Sequence, residues 1–232
     1  MVFSSLTFWF IYLPVVLISY YVTPKKARNI VLFIVSLAFY GWGEPKYVVL
    51  MIASIIIGYV SGLLIEAFNQ GKKAKLFLWL SVIVNLGFLG FLKYSDFFIE
   101  NFNAVTGLSV PLLKVALPIG ISFYTFQILS YTIDVYRGSV PAQKNFIDLA
   151  SYIALFPQLI AGPIVRYSDI EKEIEVRTVT FDKISYGITR FVIGLFKKAV
   201  FANFLGETAT MFLDGDLSQV SAVQGWFGII AY

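Results

Sequence analysis

The sequence predicts an all-α fold: a polytopic transmembrane helical bundle with a re-entrant segment. Composition is the first observation behind this. Only 14% of the 232 residues are charged and 58% are hydrophobic, against about 25% and 45–50% in soluble domains. So few charges could not cover the core of a water-soluble protein. The second is a series of apolar runs close to the roughly 20 residues needed to cross a bilayer. The third is a cluster of Pro, Gly and polar groups inside this apolar sequence, between Leu117 and Arg166.

Residues 2–24 form the first predicted span. The first charge in the chain is Lys25, after the apolar run. A cleavable signal peptide begins with its positive charges instead, so this run is expected to stay as a membrane helix. Residues 29–43 form a shorter second span that ends at Gly41-Trp42-Gly43, where Tyr40 and Trp42 suit the interface. Pro45 opens a third span at 46–66, and 76–92 is the fourth. The fifth is 115–133. Residues 146–165 are apolar but broken by Pro157 and Pro163. Residues 184–206 carry Arg190, Lys197 and Lys198 on a seventh helix, and 217–232 begins a last span. The whole is expected to be one membrane-embedded region, incomplete at its carboxy terminus.

Basic loops stay in the cytoplasm. Lys25, Lys26 and Arg28 place the first loop inside, so the amino terminus is expected outside. Lys72, Lys73 and Lys75 place the third loop inside as well, two crossings later. The loop from Lys93 to Lys114 then lies outside, and the one around Arg137 and Lys144 inside. If the charged stretch from Arg166 to Lys183 is also inside, residues 146–165 must enter the membrane and return. A complete crossing is the simpler alternative. The small net charge of +4 is spread over loops, which gives no sign of nucleic-acid binding. The chain has no cysteine and no histidine. It therefore lacks thiolate nucleophiles, disulfides and imidazole bases, and no metal set suggests itself.

Lipid offers backbone groups no hydrogen-bond partner, so helix breakers at membrane depth belong inside protein or along a wet cavity. The breakers here form long motifs. Leu117–Gln127 reads LPIGISFYTFQ, Ile133–Gly138 reads IDVYRG, and Phe156–Tyr167 reads FPQLIAGPIVRY, with Gly194-Leu195-Phe196-Lys197-Lys198 further on. These resemble the membrane-bound O-acyltransferase family, and its alginate O-acetyltransferase-like branch most closely. A branch that moves D-alanine onto teichoic acids shares the pattern less closely. The resemblance implies the amino-terminal half of a membrane O-acetyltransferase in a bacterial cytoplasmic (inner) membrane. It implies no bound cofactor; the co-substrate is an acyl thioester donor, acetyl-CoA or an acyl carrier. The implied acceptor is an exported or cell-surface polysaccharide, alginate-like, with an extracytoplasmic acetyltransferase as a further partner. The family's general base is a histidine in the later half of a protein roughly twice this long.

No catalytic residue is therefore assigned within the chain; six polar residues are candidates for substrate binding. Gln127 and Ser130 lie within the fifth span, where they either bond between helices or wall an acyl-donor tunnel. Asp134 and Arg137, one turn apart, are either a helix-end pair or lining groups at the mouth of a donor funnel. Gln158 and Arg166 belong to the broken segment. A cation is costly at the bilayer centre, so Arg166 is expected at the interface or in a wet funnel, where it could meet a phosphate or carboxylate. Tyr124 and Tyr131 are expected to pack, Pro118 and Gly120 to distort the start of the fifth helix, and Lys197 and Lys198 to reach the headgroups. Two other function classes fit broken apolar helices: a transporter or channel, and a non-catalytic membrane assembly subunit. Against the transporter, the chain shows no internal repeat.

Overall fold

The computed structural model describes the chain except for residues 1, 2, 4, 70, 160, 161, 163 and 215–219. Every regular element among the described residues is helical. Two helices, Pro45–Ala67 and Lys72–Thr106, are long and apolar enough to cross a membrane. Two compact units are distinct, a larger one over Thr7–Arg177 and a smaller one that holds Thr178–Tyr232.

In the larger unit, a π-helical turn at Phe8–Tyr12 leads into α1 (Leu13–Val22). Then come α2 (Arg28–Gly43), α3 (Val48–Ala67), α4 (Lys72–Thr106) and α5 (Ile121–Arg137). Large apolar side chains stay on the outside of this unit, among them Phe10, Ile18, Leu76 and Ile83. Water would expel such a surface, whereas lipid accepts it.

Two boundaries differ from the sequence expectation. The fourth helix does not stop at Leu92 but runs on to Thr106. Its 35 residues span about 52 Å at 1.5 Å each, well beyond a hydrocarbon core of about 30 Å. Lys93, Asp96 and Glu100 lower the hydropathy there without breaking the helix. Gly107, in the left-handed conformation, ends it. The fifth helix starts at Ile121 rather than Val115 and continues to Arg137. Pro118 disfavours helical backbone at Leu117, and Gly120 precedes the helix at φ +78°.

Contacts fix the direction of the helices. Gly58 and Gly62 of α3 pack on α5, and Ser54 and Ser61 of the same helix are buried as well. Ile128 sits on Gly58 and Tyr131 on Gly62, both close enough to leave no room for a methyl group. Small residues of this kind let two backbones approach in a membrane. The pairing 58–128 and 62–131 makes α3 and α5 parallel, as the single intervening helix α4 requires.

The smaller unit contains α9 (Phe181–Phe196), a π-helical stretch at Lys197–Ala202, α10 (Asn203–Leu213) and α11 (Ala222–Ala231). Thr180 caps α9 through the Lys183 N–H, and Ser221 with Gln224 forms a capping box for α11. Gly228 of α11 lies against Phe212 and Leu213 of α10. The predicted 184–206 helix thus lies inside a longer helical run. Residues 217–219 of the last predicted span lie outside the described residues.

Candidate functional site

The broken segment 146–165 carries the site's architecture. It opens as α6 (Phe146–Ala154), whose first turn is capped by the Asn145 side chain accepting from the Ile147 N–H. Ser151 donates from its hydroxyl to the Asn29 carbonyl (2.7 Å), and the Phe156 N–H donates to Ser36 Oγ (3.2 Å). Residues 151 to 156 therefore climb alongside 29 to 36, parallel to α2. The helix breaks at Leu155, and α7 (Phe156–Leu159) continues for one turn. The Phe156 N–H, the α-helical partner of the Tyr152 carbonyl, is spent on Ser36, and the Gln158 side-chain amide donates to that carbonyl instead. At its tip, Leu159 reaches Gly120 at the start of α5. A Cβ on Gly120 would lie 2.6 Å from the Leu159 carbonyl oxygen. Pro163 and residues 160 and 161 lie outside the described residues.

The chain then returns to the end it came from. Tyr152 Oη donates to the Val165 carbonyl (2.6 Å). Tyr167, the first residue of α8 (Tyr167–Glu175), accepts from Gln143 Nε2 (2.9 Å), and Tyr131 Oη accepts from the Gln143 N–H (2.9 Å). Burial pushes the Tyr167 phenol up to about 12. Both ends of 146–165 thus lie beside the 138–145 loop, so the described residues of the segment form a hairpin. That loop is also held by Glu66 at the end of α3, which accepts from the Ala142 N–H (2.9 Å), and by Tyr59, which donates to the Lys144 carbonyl (2.7 Å).

The hairpin faces a polar seam on α5. Gln127, Ser130 and Asp134 fall on one side of that helix, over about 10 Å of its length. Gln127 is 1% exposed and Asp134 9%. Among the described residues, Gln127 Oε1 and Asp134 Oδ2 have no hydrogen-bond partner, nor do the buried hydroxyls of Tyr40 and Tyr124. Such orphans are few in native proteins and call for a water, ion or ligand. Ser130 Oγ donates to the Gln127 carbonyl (3.0 Å).

The six predicted binding residues therefore separate. The structure brings Gln127, Ser130 and Asp134 together along the seam. Gln158 sits buried at the hairpin break, with its amide engaged by backbone. Arg137 and Arg166 are exposed at the loop end. Asp134 points inward while Arg137 points outward, and no ion pair joins them among the described residues. Tyr124 and Tyr131 are packed, as expected, although only Tyr131 has its hydroxyl satisfied.

A second feature was not anticipated from the sequence. An open cleft of about 670 Å³ lies at the loop end of the larger unit. Its walls come from Lys25–Asn29, Gln143–Asp148 and Ile174–Arg177, three stretches far apart in the chain. The basic first loop had served only to set topology.

No family model matches the chain, and no solved structure matches it. Curated relatives do. A protein of Pseudomonas syringae pv. tomato described as "Probable alginate O-acetylase AlgI" is 41% identical over 239 residues, covering 100% of this chain and 45% of the relative. Its namesake in Azotobacter vinelandii is 40% identical, over 100% of this chain and 47% of the relative. A peptidoglycan O-acetyltransferase of Helicobacter pylori is 31% identical, over 100% of this chain and 50% of the relative. The chain spans about half the length of the curated relatives it matches.

Proposed function

The chain is similar throughout its length to the alginate O-acetyltransferase-like branch of the membrane-bound O-acyltransferase family, and from that premise we propose that it forms the amino-terminal portion of an O-acetyltransferase acting on a polysaccharide. The donor is an acyl thioester, acetyl-CoA or an acyl carrier, presented at the cytoplasmic face of a bacterial inner membrane. The acceptor is an exported or cell-surface polysaccharide, reached directly or through an extracytoplasmic acetyltransferase partner.

In this reaction the acceptor hydroxyl attacks the thioester carbonyl. A new ester C–O bond forms, the C–S bond breaks, and the hydroxyl proton passes to a base while the thiol leaves. The seam of Gln127, Ser130 and Asp134 supplies hydrogen-bonding groups along the path from the loop end inward. Gln127 Oε1 and Asp134 Oδ2 are buried and unpaired among the described residues, which suits polar groups of a passing donor. The chain has no histidine, and the proton-accepting base is assigned to sequence outside these 232 residues.

The observation that carries this reading is the re-entrant hairpin packed over a polar seam with unsatisfied buried oxygens. The test is incorporation of labelled acetyl groups into exported polysaccharide by cells carrying the full reading frame, wild type or Gln127→Leu. The expected result is at least a tenfold loss of label in the variant at equal membrane abundance. Unchanged label would remove the seam from the donor path, and unlabelled polysaccharide in the wild type would refute the activity.

A further inference from the structure

We propose that the loop-end cleft is a binding site for a phosphate group. Three observations point there. First, the cleft gathers Lys25, Lys26, Arg28, Lys144 and Arg177 against two carboxylates, Asp148 and Glu175. Second, two helices present their N-termini to it. Asn29 lies in the first turn of α2 and Asp148 in the first turn of α6. Helix N-termini carry partial positive charge and outward N–H groups, and so favour anions. Asn145 caps α6, whereas at α2 Ala27 makes no side-chain cap bond and the Arg28 N–H donates to the Lys25 carbonyl of the preceding turn. Third, the floor is pre-organised. Asn29 donates to Asp148 Oδ1 (2.6 Å) and to the Ile174 carbonyl (3.1 Å), while Arg177 donates to Asn29 Oδ1 (2.6 Å). Arg28 is steadied over the Tyr20 ring at 4.8 Å.

A topology signal alone requires none of this. Positive loops orient a membrane protein whether or not they meet, whereas here the cations of three distant stretches share one concave surface. Asp148 is engaged by Asn29, and Lys25, Lys26 and Lys144 are exposed. Their ammonium groups remain the mobile charges that would close on a phosphate. Two sources could supply it: the phosphates of a soluble nucleotide-linked thiol, or the headgroup of an anionic phospholipid. The inference does not depend on acetyl transfer, since either source would seat on the same groups.

The test uses the purified protein in nanodiscs. Labelled coenzyme A and labelled pantetheine, which lacks phosphate, are offered to protein in phosphatidylcholine discs. Retention of phosphatidylglycerol over phosphatidylcholine is read separately by native mass spectrometry from mixed discs. Each is repeated with the triple variant Lys25→Gln, Lys26→Gln, Lys144→Gln and with Lys183→Gln, which lies outside the cleft. Retention of coenzyme A but not pantetheine, with affinity at least tenfold lower in the triple variant and unchanged in Lys183→Gln, identifies a soluble phosphate ligand. Preferential retention of phosphatidylglycerol, lost in the triple variant alone, identifies a lipid phosphate. If neither probe is retained, or the triple variant binds as the wild type does, the proposal is overturned and the lysines are topology signals only.

Discussion

Gly120 shows how much of this structure rests on single atoms. It must adopt φ +78°, and its α-hydrogen faces the Leu159 carbonyl where a Cβ would stand at 2.6 Å. An alanine there costs about 1–2 kcal/mol from the left-handed backbone alone, and the clash with fixed backbone adds to it. Gly120→Ala should therefore lower the thermal midpoint of the detergent-solubilised protein and loosen the hairpin tip. Gly62→Ala meets the Tyr131 ring within 3.0 Å, an overpacking that costs about 1–3 kcal/mol. Gly87 has open space around it. Fluorescence-detected size exclusion after heating checks the series: Gly120→Ala and Gly62→Ala should fall below wild type, while Gly87→Ala should not. Arg166 offers the opposite case. It is exposed and has no part in the packed seam, so Arg166→Ala in the full reading frame should leave membrane abundance intact. Acetylation of polysaccharide should fall more than abundance if the guanidinium meets the donor. Equal losses in both would make it a structural residue.

At the scale of elements, the proposed re-entrant reading of 146–165 puts its two flanking loops on one side of the membrane. Ser139 and Ser168 lie at the end where the segment enters and returns, whereas Ser109 follows the far end of α4. Single cysteines at Ser139 and Ser168 should both be protected from an impermeant thiol reagent applied outside cells, and a cysteine at Ser109 should react. Labelling at Ser168 but not at Ser139 would turn 146–165 into a full crossing. The sequence made most of the helices legible because lipid demands long apolar runs, as at Val48–Ala67. It misplaced the ends of α4 and α5 for identifiable reasons. Hydropathy reads Lys93, Asp96 and Glu100 as loop, although a helix leaving the bilayer tolerates charge freely. Conversely, apolar Val115 to Leu117 reads as span, although Pro118 prevents helix there. Within the seam, Gln127 and Asp134 stood out because polar groups are rare in such a segment. The basic cleft did not, because its walls meet through tertiary contacts such as those of Asn29 with Asp148 and Arg177.

In the proposed reading, the larger unit supplies the polar seam of Gln127, Ser130 and Asp134 and not the proton acceptor. Acyl transfer to a hydroxyl requires a base placed within hydrogen-bond reach of that hydroxyl. Histidine and cysteine are absent from the sequence. Among the described residues, a hydroxyl–lysine contact joins Lys183 to Thr178, with Nζ 2.9 Å from Oγ1 and 3.3 Å from the same residue's carbonyl. Both partners are exposed residues at the start of the smaller unit. Asp134 is buried, but it lies near the loop end of α5, only three residues from Arg137. In the proposed orientation that end is cytoplasmic, about 20 Å of helix from Gly120 at the opposite end, where an exported acceptor would arrive. Residues 1–232 expressed alone should therefore insert in the membrane yet transfer no labelled acetyl to polysaccharide. The full reading frame should transfer it under the same conditions. Membrane fractions of the two, matched for abundance and supplied with labelled acetyl-CoA, decide the matter. Transfer by the 232 residues alone would place the base among the groups described here and make Asp134 the first residue to test by Asp134→Asn.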